Sequence, residues 1–202
     1  MTDATATPET HRRAIALIDA AHAADPTYTP DGRPAELVYA ERMVAWGERL
    51  ATAAHSPLAA LALRCQHLER FLTPRDTFPE GRAGYYQWRT SLYTKQGDRA
   101  RDLLLEAGCD AADAERVRSW VAKENLRADP NSQLLEDCAI LVFLENHIAD
   151  FAAQHADYTR EKWIRILQKS WTKLSPRGRE AALTLAFPPA IGELVQEAVA
   201  GA

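Results

Sequence analysis

Apolar residues recur at spacings of three and four along almost the whole chain, and alternating runs of β-branched residues are missing. This pattern predicts an all-α fold of about nine helices, each with one apolar face. The first covers residues 10–24, with Ala14, Ile15 and Ile18 on one side, and stops before Asp25-Pro26 because proline cannot continue a helix. Pro34 opens the second, which carries Leu37, Val38, Met43, Val44 and Leu50 to about residue 54. Ser56-Pro57 starts a third over PLAALALRCQHLERFL, apolar in its first half and abruptly polar after Leu63. The run TPRDTFPEGRA holds two prolines and a glycine and predicts an ordered loop over residues 73–83. After it, GYYQWRTSLYTKQGDRARDLLLEAG reads as one long helix, or two abutting at Gly97, stopped by Gly108. Asp110 caps a helix over about residues 111–125, and SQLLEDCAILVFLENHIADFAAQH predicts the most apolar helix, 132–155, with Glu136-Asp137 one turn in. Thr159, Ser175 and Pro188-Pro189 open the last three.

Length and charge narrow the picture. The 202 residues, 47% of them hydrophobic, suffice for one core, and no repeat or linker interrupts them, so residues 1–202 are expected to form a single helical domain with a flexible tail over 1–9. With 24 basic and 28 acidic residues the net charge is −4, so no global field draws the protein to DNA or an anionic membrane, and any anion site is local. No stretch approaches the ~20 apolar residues of a membrane span, and MTDATATPETHRR has no signal-peptide core. Cys65, Cys109 and Cys138 are odd in number, widely spaced and set in apolar helices, which predicts reduced, buried thiols and a cytoplasmic protein.

Chemistry needs polar groups on faces that periodicity assigns to the interior. Arg64, His67 and Arg70 stand three apart on the third predicted helix and share a face. Glu136 and Asp137 interrupt the most apolar helix, and Glu41 lies between Tyr39 and Met43 on the second. An imidazole and carboxylates from crossing helices suit a divalent metal ion, with His67, Asp137 and Glu41 as the ligand candidates; a hydrogen-bonded core histidine is the competing structural reading. Arg75, Arg82, Arg89 and Lys95 alternate with Phe78, Tyr85, Tyr86, Trp88 and Tyr93, a mixture that suits a small anionic or nucleotide-like ligand, or that simply staples the loop to the core. EKWIRILQKSWTKLSPRGR is basic and tryptophan-rich; it reads as an RNA-facing helix or, more ordinarily, as an amphipathic one with solvated lysines, and nucleic acid is not the expected partner.

The run QHLERFLTPRDTFPEGRAGYYQWRTSLY, with LVYAERMVAW before it and LEDCAILVFLENHIADFA after it, closely resembles the family called domain of unknown function 4202 over nearly the whole chain. The resemblance places His67, Arg70, Pro74, Arg75, Pro79, Arg82, Gly84, Tyr85, Trp88 and Arg89 in the family's signature and Glu136 and Asp137 in a later motif. More distantly, LVYAERM, ALRCQHLER and LLEDCAILVF resemble the ligand-bearing helices of HD-domain metal-dependent phosphohydrolases, which implies an HD-domain-like helical bundle. The sequence departs from that pattern: Tyr39 or Glu41 stands where the first histidine would be, and Gln66-His67-Leu68 contains no His-Asp pair. The implied activity is an HD-like hydrolase acting on a phosphorylated or nucleotide-like small molecule. His67 and Asp137 are its expected catalytic residues, and Arg70, Arg75, Arg82, Tyr85, Trp88 and Arg89 its expected substrate contacts. The alternatives are a non-catalytic small-anion sensor, a protein-interaction module and an RNA-binding protein. A glutamyl-tRNA synthetase is excluded, because Rossmann-like alternation and adenylate-binding motifs are missing.

Overall fold

A computed structural model describes residues 7–126 and 128–201. Among them the protein is all-α with no strands; a lone bridge pairs Tyr28 with Pro34. The chain divides into two compact units, Met1–Leu135 and Glu136–Ala202. The predicted tail over residues 1–9 falls mostly outside the described residues, and Pro8 and Glu9 already belong to the first helix.

The first unit holds α1 (Pro8–Ala23), α2 (Ala35–Leu50), α3 (Ala59–Arg64), α4 (Gly81–Ala107), α5 (Ala111–Val121) and the start of α6 (Pro130–Asn146). Thr7 caps α1 by accepting from the Thr10 amide at 3.2 Å, and Asp110 caps α5 through the Ala112 amide at 2.8 Å. The start of α2 is organised at longer range. Asp25, buried in the preceding loop, accepts from the Thr27 and Glu36 amides at 2.9 Å each, which fixes the first turn of α2 and with it Glu36. Ile18, Met43, Trp46, Leu61, Leu104 and Val117 are fully or almost fully buried and form the core where α1, α2, α3, α4 and α5 meet.

Two features of the helices matter for the site, the first an expected alternative and the second a departure. α4 is one unbroken helix: Gly97 marks the crossing of α5, where a Cβ would come within 3.0 Å of the Arg118 carbonyl oxygen, and Gly108 closes the helix at φ 92° as predicted. The third helix is far shorter than expected. It ends at Arg64, and the chain then makes two reverse turns, Leu68 N–H to Cys65 C=O at 3.2 Å and Arg70 N–H to His67 C=O at 3.0 Å. The third positions of these turns, His67 and Glu69, adopt φ of 60° and 50°, in the left-handed region that ordinarily favours glycine or asparagine. The expected shared helical face of Arg64, His67 and Arg70 therefore does not exist. Arg64 instead pairs with Asp19, Nη2 to Oδ2 at 2.8 Å.

The second unit holds the rest of α6 with α7 (Ile148–Gln154), α8 (Arg160–Trp171), α9 (Pro176–Leu183) and α10 (Pro189–Ala200). The predicted single helix over 132–155 is divided at His147, and α8 packs on α10. Thr159 and Ser175 cap α8 and α9 as expected, accepting from the Lys162 and Gly178 amides. Cys65, Cys109 and Cys138 are buried free thiols. No helix among the described residues is long and apolar enough to cross a membrane.

Candidate functional site

The site grows out of the turn after α3. The left-handed backbone at His67 brings its Nδ1 to 3.1 Å from Glu36 Oε2, while the Tyr39 ring, one helical turn after Glu36 on the same face of α2, stacks on the imidazole at 3.9 Å and 7°. Because a carboxylate only accepts, Nδ1 carries the proton and Nε2 keeps its lone pair. The Arg70 guanidinium closes the third side, with Nη1 3.3 Å from Nδ1 and 3.4 Å from Nε2. Arg70 in turn lies 5.0 Å above the ring of Trp88, a buried residue of α4 whose Nε1 donates to the Thr73 carbonyl at 2.8 Å. Lys95 donates to the Thr73 hydroxyl at 3.1 Å, and Glu69 pairs with Arg99 at 3.0 Å, so the second turn and the chain just after it are pinned to α4.

The charges of this group follow from the packing. Burial pushes the His67 pKa down; Glu36 opposes the shift, and the positive charges of Arg70 and Lys123 add to it. Glu36 is half-buried, and desolvation alone would raise its pKa, but the hydrogen bond from His67 and the charges of His67, Arg70 and His22 hold it below the usual carboxylate value. At neutral pH the pair is a neutral imidazole oriented by an ionised carboxylate, with 29% of the His67 side chain open to solvent. Behind it, His22 is fully buried, its Nε2 donating to the Arg64 carbonyl at 2.8 Å and its Nδ1 without a hydrogen-bond partner.

The other expected substrate contacts divide. Arg75 donates to the carbonyls of Phe78 at 3.1 Å and Pro79 at 3.0 Å and so holds its own loop together. Gly84 lies under that loop, where a Cβ would collide with the Pro79 carbonyl at 1.8 Å, which accounts for a glycine inside a helix there. Arg82 is exposed and sits 5.5 Å from the Tyr86 ring centroid. Arg89 donates to the Tyr85 hydroxyl at 3.1 Å and also bonds the Tyr93 hydroxyl, and Tyr85 stands 5.9 Å from Trp88. Of these residues Arg70 lies against His67 and Trp88 against Arg70, Tyr85 and Arg89 are linked to them through the Tyr85–Trp88 ring contact, and Arg75 is a structural clamp.

The two remaining expected residues have other partners. Both Glu41 oxygens accept from Arg33 Nη2 at 2.7 Å. Asp137, in the second unit, is buried and accepts from the Ser175 amide at 2.8 Å and from the Ser175 hydroxyl, bracing the cap of α9. Among the described residues no three His, Cys, Asp or Glu side chains are gathered as a ligand set. Glu41 and Asp137, two of the three expected metal ligands, are thus each engaged by partners of their own, Arg33 and Ser175. In the basic stretch, Arg160 pairs with Glu197 at 2.6 Å, Lys173 with Glu136 at 3.1 Å, and Lys162 lies 3.2 Å from the Tyr158 ring centroid.

Glu36 and Lys123 were not among the sequence candidates. An acidic residue in a first helical turn reads as a partner of the helix dipole, and only its spacing of three from Tyr39 hinted at a shared face. Domain of unknown function (DUF4202) matches the chain over residues 12–195. No curated protein and no solved structure matches it significantly.

Proposed function

The chain belongs to the DUF4202 family, and we propose that this member is a hydrolase of phosphorylated or nucleotide-like small molecules, HD-like in its helical setting, with His67 as general base. One observation carries the reading: the His67 imidazole is held from three sides, by Glu36 at Nδ1, by Tyr39 on its face and by Arg70 beside it, on a left-handed backbone. Backbone strain at a non-glycine residue costs on the order of 1–3 kcal/mol and gathers at functional sites. A core histidine that needed only a hydrogen bond would be satisfied on an ordinary helix.

In this reading Arg70, the donor 3.4 Å from Nε2, turns onto a phosphate oxygen of the bound substrate; Nε2 then takes the proton of an attacking water as oxygen bonds to phosphorus, and the P–O bond to the leaving group breaks. The leaving oxygen takes that proton from the His67 imidazolium, which restores the neutral base, and the phosphate departs. Glu36 stabilises the imidazolium as it forms, and Arg70 holds phosphate oxygens. Arg89 and Tyr85 supply further donors. Asp137, expected beside His67, serves here as the brace of α9, and no step is routed through a metal.

Assay of the purified chain against a panel of phosphate monoesters, diesters and nucleotides tests the reading. Wild-type protein should release phosphate, and His67→Gln should lower kcat/KM by at least about 10²-fold. Glu36→Gln should shift the rising limb of the pH–rate profile to lower pH, because the carboxylate is what supports protonation of His67. Ligand binding without turnover across the panel would instead identify a small-anion sensor.

A further inference from the structure

Lys123 follows the last turn of α5, which closes with Glu124 N–H to Ser119 C=O at 2.9 Å and Lys123 N–H to Trp120 C=O at 3.0 Å. This pair of bonds places Lys123, at φ 59°, where such helix ends ordinarily have glycine. The lysine is therefore held against backbone preference, as His67 is. Its Nζ lies 5.4 Å from the centroid of Tyr93, and the Arg89 guanidinium lies 5.6 Å from the same centroid, so two cations share one ring. Arg89 also donates to the hydroxyl oxygens of Tyr93 and Tyr85. A phenol oxygen that accepts from a guanidinium keeps its own O–H for donation, so this cluster offers two hydroxyl donors beside two cations. Contacts then run from Tyr85 to Trp88, from Trp88 to Arg70 and from Arg70 to His67. Lys123 also reaches His67 electrostatically: after burial, its charge and that of Arg70 help to keep the imidazole neutral.

We propose that Lys123 and Arg89, with the hydroxyls of Tyr85 and Tyr93, form the subsite that selects a terminal phosphate dianion, making phosphomonoesters rather than phosphodiesters the substrates. A terminal phosphate has three acceptor oxygens and, near neutral pH, a charge approaching −2, whereas a diester has two free oxygens and a charge of −1. Cations and phenol donors clustered together match the first and are under-used by the second. The assignment rests on the phosphohydrolase reading for its chemistry, but its binding test does not.

Calorimetric titration of the full chain with orthophosphate and with dimethyl phosphate, at about pH 6 and about pH 8, separates the possibilities, since the second phosphate ionisation lies between them. Orthophosphate should bind more tightly at the higher pH, and dimethyl phosphate at least about tenfold more weakly than orthophosphate. Lys123→Gln, which keeps a similar side chain on the same backbone, should weaken orthophosphate at least about tenfold, and Lys123→Arg should stay within about threefold of wild type. Thermal unfolding of each variant confirms that the folded protein is being titrated. Equal binding in Lys123→Gln, equal binding of dimethyl phosphate, or no orthophosphate binding by wild type would overturn the assignment. Lys123-dependent binding without hydrolysis of any ester would remove only the hydrolase reading; hydrolysis with Lys123-independent binding would remove only the subsite.

Discussion

His67 in the first unit and Asp137 in the second were expected to do one job, and their surroundings differ in kind. Asp137 stands on a regular stretch of α6, and its carboxylate receives the backbone amide and hydroxyl of Ser175. His67 stands on a left-handed residue of a tight turn, against a stacked phenol, a carboxylate and a guanidinium. Asp137 is buried and His67 partly so. The first arrangement satisfies a buried carboxylate and fixes a helix start, which is what stability requires. The second accepts backbone strain and places a cation beside an imidazole, which stability does not require. Burial of a polar residue is thus a poor guide to function unless its partners and its backbone are read with it.

The largest effect that could break this comparison is kinetic. His67→Gln should abolish phosphate release, by about 10²-fold or more, while denaturant unfolding shifts by no more than about 1 kcal/mol, because the residue is partly exposed and its turn is already strained. Asp137→Ala should do the reverse: loss of the brace and of a buried hydrogen-bond partner costs about 2–3 kcal/mol in urea unfolding, with turnover falling only in step with the folded fraction. A catalytic loss at Asp137 without loss of stability would erase the distinction.

Acid should sharpen it. The folded-state pKa values of His67 and His22 lie below the ordinary 6.5, mainly through burial, so between those values and 6.5 the unfolded chain binds more protons. Stability should then be level at higher pH and decline as the pH falls below about 6.5. Glu36, held below its ordinary 4.5, adds stability that is present above that pH and disappears as the pH falls through its folded value. Thermal unfolding followed from pH 8 to pH 4 should show the decline beginning near the histidine range, with a smaller slope there in His22→Gln and in His67→Gln; an unchanged slope in both would refute the assignment.

The smallest effect concerns the second left-handed residue. Lys123→Gly should stabilise the chain by about 0.5–1 kcal/mol, the relief of the left-handed strain exceeding the added entropy of the unfolded glycine. Equilibrium urea unfolding measures it, and destabilisation would mean that the contact with Tyr93 outweighs the backbone term.

Much of the fold was legible because it is local. Caps at Asp110, Thr159 and Ser175, the stop at Gly108, and the burial of Cys65, Cys109 and Cys138 follow from residues within a turn of one another and from apolar spacing. The site was legible only in part. His67, Arg70, Trp88, Arg89 and Tyr85 were recognised as polar or aromatic residues in a distinctive run, but Glu36 and Lys123 come to them from other elements. Periodicity could not show that α3 stops at Arg64, because the turns that follow contain no glycine or proline to announce them.

The helical class, most helix starts and the stop at Gly108 were therefore settled by the sequence alone, since each depends on hydrogen bonds between neighbours in the chain. Tertiary structure decided the sign of φ at His67 and Lys123, the anchoring of Glu36 through Asp25, and the choice of partners for Arg75, Glu41 and Asp137. Those outcomes depend on which groups packing brings within about 3 Å of one another, and a left-handed residue other than glycine persists only where the surrounding contacts hold it there.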